Sequence, residues 1–455
     1  MIETIHFYHT NDLHSHFQHW PRIQELVTTR KKWHLEAGES SFTLDIGDHI
    51  DRSHIFTEGT LGKGNVELLN QAGYDVVTIG NNEGITLSYS ELENLYTDAQ
   101  FEVVVGNLAK QSGEIPSWLL PTTILTTIHG TRIGVTALTA EFTLFYEQLG
   151  WLVSDAFNAL QSQIDELKPK VDIIICLSHL GIHKDEAMAE QFPDIDIIFG
   201  AHTHHILHEG KLVNNSLLAA AGKFGYYVGH VTINYNVTTK QIDEKEAILY
   251  DANDLKESTN EEQFLEELVR VGHGNLMGTA FHQPTHLQKE WFKESALSTF
   301  FGEALTTFCQ ADCALFNAGL FLTDLKADKV SYFDIHKMMP HPINPCVIEL
   351  SGAELKELFF LSLNESWPNL EIKGLGFRGV VMGKMITHQF SVVNQELFIQ
   401  DKRIGSTDRV RLATLDMFTF GYFYPSLKEL PKSYFMPEFI RDVLIGFGQK
   451  RQQLL

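Results

Sequence analysis

Seven side chains able to hold a metal ion stand at the ends of five apolar runs. ETIHFYHTNDLH ends on Asp12 and His14, SFTLDIGD on Asp48, YDVVTIGN on Asn81, VDIIICLSH on His179, and IDIIFGAHTH on His202 and His204. Together they offer carboxylate and amide oxygens and imidazole nitrogens, a hard-to-borderline set that suits manganese, zinc, iron or cobalt. Asp12 and His14, two residues apart, share one side of an extended chain and so bind one ion together. Asp48 is the hub, because a carboxylate bridges two ions through its two oxygens, and His202 and His204 divide between those ions. A single aspartate at a strand end usually caps a helix, and a single histidine there is usually just hydrogen-bonded. Seven such residues on five successive run ends point instead to a centre for two divalent metal ions.

These ligands need a scaffold that brings distant run ends together. Four to eight β-branched or apolar residues followed by glycine and a polar pair read as buried parallel strands. Ligands of open α/β sheets gather at the carboxyl ends of such strands, so five strands in one sheet would converge on one crevice. Strand runs alternate with helix-length segments, such as Gly64 to Gly73 and Leu87 to Ala99, which makes the first half an α/β domain over residues 1–245. Asp254 to Val271 shows helical spacing at Phe264, Leu265, Leu268 and Val271, giving a connecting helix within 246–275. Residues 276–455 read as a smaller α+β domain.

Composition narrows the partners. The 455 residues are 44% apolar and 20% charged, with a formal net charge of −23. That balance disfavours nucleic acid and anionic membrane as partners, while a small anionic substrate binds where metal cations supply positive charge. The chain enters its first strand without a targeting segment, and no run approaches 18 apolar residues, so a cytoplasmic protein is expected. Cys176, Cys309, Cys313 and Cys346 form no C-x-x-C pair and read as buried thiols. Oligomeric state leaves no signature.

The order D-x-H, G-D-x-x-D-R, G-N-x-E, S-H-L-G and G-A-H-T-H resembles the calcineurin-like metallophosphoesterases. LFNAGLFL and MMPHPINPCVIELSGAEL resemble the C-terminal domain of the bacterial 5′-nucleotidase family. The resemblance implies a four-layered αββα domain followed by a domain that grips the nucleoside part of a substrate. It puts Asp12, His14, Asp48 and His204 on one ion, and Asp48, Asn81, His179 and His202 on the other. The implied activity is a phosphoric ester hydrolase, in which a metal-bridging hydroxide attacks a nucleotide-like phosphate ester or anhydride in line. Arg52, four residues after Asp48, matches an arginine that holds phosphate in related phosphatases.

The chain departs from the family at several points. Asn82 stands where the family keeps a catalytic histidine, and Ile85 replaces the aspartate that orients it. An amide donates a hydrogen bond but supplies no proton at neutral pH. Asn317 and Gly319 survive from the nucleotidase Asn-x-Gly-Gly-Ile-Arg, whose arginine is absent, with Arg378 as a substitute. His341 falls near the position of the base-stacking phenylalanine, and Phe420 and Phe423 are further stackers. The expected preference is for anhydrides or activated esters, or else an acid recruited from His49, His16 or His205. The alternative is a former nucleotidase that binds metal and nucleotide as a sensor.

Overall fold

The five runs form strands, but in two sheets rather than one. The computed structural model describes residues 1–453. Ile2–Thr10, Ser40–Asp45 and Val76–Val77 pair in parallel within a six-stranded sheet. Ile173–Ser178 and Ile197–Gly200 pair in parallel within a second six-stranded sheet. The sheets face each other across a core that includes Ile5, Phe7 and Leu44 from the first and Val135, Ile175 and Phe199 from the second. Burial on both faces is why the runs carry so few polar residues.

Helices cover the two outer faces. On the second sheet, Ile174, Cys176 and Ile198 pack with Leu160, Ile164 and Met188 of the helices Ala156–Leu167 and Ile182–Gln191. On the first, the helix Trp20–Ala37 lies against the alternate residues of Ile2–Thr10, and the Tyr8 hydroxyl meets His34 Nε2 at 2.9 Å. Proline in its first turn and Gly38 at φ 75° bound that helix. The result is the four-layered αββα arrangement.

The hairpin Tyr227–Asn236 and Gln241–Asp251 completes the first sheet by antiparallel pairing with Ile2–Thr10. Its second strand therefore runs past residue 245, where sequence reading ended the domain. The following helix is Glu261–Leu276, later than the Asp254 to Val271 segment, and the Glu261 carboxylate accepts the Ser258 N–H at 2.7 Å ahead of it. The chain divides into two compact units, 1–272 and 273–455. The second unit is α+β: a five-stranded sheet, with Cys313–Asn317, Arg409–Leu415 and Pro345–Ser351 at its centre, shares a core with the helices Ala296–Cys309 and Ile440–Gln452.

All four cysteines are buried free thiols. Among the described residues no helix is long and apolar enough to cross a membrane.

Candidate metal centre

Each ligand sits just beyond a strand, where the backbone turns sharply. Asp12, His14, Asp48, His202 and His204 all have positive φ, between 48° and 71°. Non-glycine residues adopt this region rarely and at a cost, and such residues concentrate at functional sites. Asp12 and His14 therefore do not share a side of an extended chain, as their spacing suggested; successive left-handed turns bring them together. Backbone bonds hold these turns: Asp12 N–H donates to the Gly47 carbonyl at 3.0 Å and His14 N–H to the Asp48 carbonyl at 2.8 Å. Gly80 has room for no side chain, since a Cβ there would lie 2.1 Å from Asp48 Oδ1 and 2.5 Å from His179 Cε1.

The ligands fall into two groups, Asp12 with His14 and His204, and Asp48 with His179 and His202; within each, one donor atom per residue lies within 4.8 Å of the others. His14 Nε2 is 3.3 Å from His204 Nε2 and 3.8 Å from Asp12 Oδ1. Asp48 Oδ2 is 3.4 Å from His179 Nε2 and 3.7 Å from His14 Nε2, so one oxygen faces both groups. Its other oxygen accepts the Asn82 N–H at 2.7 Å. One carboxylate oxygen, not both, is therefore turned toward the two groups. Most of these separations are too long for hydrogen bonds and suit the edges of a coordination polyhedron with bonds of roughly 2.0 to 2.2 Å. The Asn81 Oδ1 and His179 Nε2 atoms are buried without hydrogen-bond partners. This donor set fits a pair of divalent cations.

Surrounding bonds aim the donors. His179 Nδ1 donates to the Ile46 carbonyl at 2.7 Å, which leaves Nε2 as the nitrogen available to a metal ion. Both Asp12 oxygens accept the His202 N–H, at 3.2 and 3.1 Å. Glu83, to which sequence reasoning gave no role, accepts three backbone N–H groups, from Asp48, Ile50 and Gly80, at 2.8 to 2.9 Å. It ties the two ligand loops together, and its place in Gly80-Asn81-Asn82-Glu83 was the available signal.

Burial opposes charge on His179, yet the neighbouring Asp48 pushes its pKa up to about 10. Burial likewise opposes charge on Asp48, and His179 nevertheless holds it well below the usual carboxylate range. The pocket is built around opposite charge. Burial, and then the charge of Asp48, push Glu83 up to about 7.

Several expected site residues have other contacts. The Asn82 amide lies 2.9 Å from both His14 Nδ1 and the Ile50 carbonyl, so it braces a ligand instead of facing a leaving group. Arg52 is 7% exposed and donates to Glu58 at 2.8 and 3.3 Å and to the Thr86 carbonyl at 2.8 Å. Those bonds occupy the fork expected to hold phosphate. His49 is buried against Trp20 and Asn65, and burial lowers its pKa to about 3, which removes it as an acid at neutral pH. His16 stacks on Phe224 at 3.7 Å, and the exposed His205 meets the Thr203 hydroxyl at 2.9 Å. Phe224 also lies edge-on to His14, and Phe142 to His202; sequence reasoning missed both aromatic rings.

In the second unit, Asn317 and Gly319 converge on the Met382 carbonyl, at 2.7 and 2.9 Å. His341 is fully buried and stacked on Phe377, with Nε2 at 2.9 Å from the Leu320 carbonyl and Nδ1 accepting the Arg378 N–H at 2.9 Å. A ring used on both edges and one face has no surface for a base, which corrects the expectation for His341. The Arg378 guanidinium meets the Phe377 carbonyl at 3.1 Å. Phe423 packs on Trp367 and Phe418 in the core, while Phe420 is 40% exposed. Of the two expected stackers, only Phe420 is at the surface.

Comparison with known proteins shows the family of the chain. Residues 5–205 match the family of calcineurin-like phosphoesterases, and residues 273–378 match the 5′-nucleotidase C-terminal domain. The uncharacterized metallophosphoesterase YunD of Bacillus subtilis is 42% identical over 98% of this chain and 99% of its own length. The trifunctional nucleotide phosphoesterase YfkN of the same organism is 24% identical over 81% of this chain, a stretch that spans 28% of that longer protein. Among solved structures, Haemophilus influenzae NAD nucleotidase has a similar fold, with a TM-score of 0.67 at 13% identity, over 99% of this chain and 97% of the other.

Proposed function

From a chain that belongs to the calcineurin-like metallophosphoesterases, and is therefore a metal-dependent phosphoric ester hydrolase, we propose a dinuclear enzyme that cleaves nucleotide-like anhydrides or activated esters. The observation that carries this reading is the Asp48 Oδ2 atom, which faces His14 on one side and His179 on the other. Asp12, His14, Asp48 and His204 would hold one ion, and Asp48, Asn81, His179 and His202 the second. Bound there, two divalent ions supply charge that neutralises phosphoryl oxygens and activates water. Manganese, zinc, iron and cobalt all suit these donors.

The substrate preference follows from proton supply. An alkyl phosphate monoester expels a poor leaving group that an acid must assist. Asn82 carries no such proton, Ile85 cannot orient one, and His49 is buried in its neutral form. An anhydride or aryl ester expels a stable anion and needs less help. His16 and His205 are the remaining acids near the ligands, and Phe420 is the remaining stacker for a nucleobase.

The test is purified protein with manganese or zinc, assayed on AMP, ADP-ribose, UDP-sugars and an aryl phosphate. Anhydrides and the aryl ester should be cleaved faster than AMP, and Asp48→Asn or EDTA should abolish turnover. Faster hydrolysis of AMP would overturn the preference. The Asn82 amide, committed to His14 and Ile50, favours a second reading, a nucleotide sensor. Tight nucleotide binding without turnover of any of these substrates would support it.

A further inference from the structure

A third histidine cluster lies on the other side of the first sheet. Ile5 and Phe7 face the core between the sheets, so His6 and Tyr8, in alternate positions of the same strand, face the helix Trp20–Ala37. His230 sits opposite Tyr8 in the antiparallel register with Tyr227–Asn236. His34 comes from the last turn of that helix, and Glu39 follows it after Gly38. We propose that His6, His34 and His230 form a further divalent-metal site, of the kind that takes zinc or cobalt, with the Glu39 carboxylate beside it.

One nitrogen from each of the three rings lies within 4.8 Å of the others. Glu39 Oε2 is 3.2 Å from His6 Nε2 and 2.9 Å from His34 Nδ1, while His6 Nδ1 is 3.0 Å from His230 Nε2. Three nitrogens around a tetrahedral ion with bonds of about 2.0 to 2.1 Å stand roughly 3.3 Å apart, so ring movements close the set. Glu39 meets His6 at the nitrogen opposite the one that meets His230, so its carboxylate orients the His6 and His34 rings. The His6 and His34 ring centroids are 3.7 Å apart.

The far edges of the rings are fixed as ligand histidines require. The Tyr8 hydroxyl holds His34 Nε2 at 2.9 Å, and the Tyr250 hydroxyl stands 3.4 Å from His230 Nδ1. The three rings come from two strands of the sheet and the helix that covers it, so the site is a clip between helix and sheet, separate from the hydrolytic centre.

The test is metal content of the full-length protein after equilibrium dialysis against zinc, read by elemental analysis. Wild type should retain one ion more than His34→Gln, with both proteins folded by circular dichroism. A combined Asp12→Ala, Asp48→Ala and His179→Ala variant, whose histidine cluster is intact, should still retain one ion. Cobalt in that variant should give the visible absorption of a tetrahedral site, and adding His34→Gln should remove it. The proposal fails if the triple variant retains no zinc or cobalt, or if His34→Gln leaves the wild-type count unchanged. A hydrogen-bonded histidine network without metal then explains the cluster. The triple variant loses the hydrolytic centre by design, so failure of that reading does not carry over to this one.

Discussion

The guanidinium of Arg52 donates twice to Glu58 and once to the Thr86 carbonyl. Its side chain is buried with that of Glu58, and removing one partner of a buried ion pair strands the other charge. Arg52→Ala should therefore lower stability by about 3 kcal/mol, seen as a reduced melting temperature, with little change in KM for an aryl phosphate. A KM rise of tenfold or more at unchanged stability would return Arg52 to the role its spacing from Asp48 suggested. Asn82 and His341 teach the same lesson. Their types and positions were legible, because a motif fixes which residue stands where. Their contacts were not, because Ile50, Leu320 and Phe377 are brought to them only by the folded chain.

At the scale of elements, the strands were readable because sheet and helix layers bury both of their faces and exclude polar residues. Their division between two sheets was not, since pairing joins segments far apart in sequence. The ligand turns were equally hidden. Spacing suggested an extended Asp12-Leu13-His14, whereas the chain takes left-handed conformations held by bonds to the Gly47 and Asp48 carbonyls. The tightest of these junctions is the one that follows Val76–Val77. A Cβ on Gly80 would press on both Asp48 and His179, so Gly80→Ala must move the Asp48 carboxylate, the ring, or both. Metal affinity should fall by more than tenfold in zinc titration, with turnover falling in parallel. Wild-type affinity in that variant would mean the two loops yield freely, contrary to the three bonds that Glu83 makes between them.

At the scale of the whole molecule, the two units respond to different chemical signals. The candidate metal centre lies in the first unit, and a ligand that binds only folded protein raises its unfolding temperature by mass action. The second unit carries Asp416, buried with Oδ2 accepting the Asn344 N–H at 3.0 Å and Oδ1 without a partner. Burial pushes its pKa up to about 7, from an ordinary value of 3.8. The folded state then holds a proton that the unfolded chain has released. The stability this confers is complete below about pH 4 and is lost as pH rises through about 7, by on the order of 2 to 4 kcal/mol. Asp416→Asn keeps the neutral form at every pH and should flatten that loss between pH 4 and 8. Calorimetry should show one transition that manganese raises and another that responds to pH through Asp416. If manganese and Asp416→Asn both move one and the same transition, the units unfold as a single cooperative block. Metal in the first unit would then protect the nucleotidase-type unit as well.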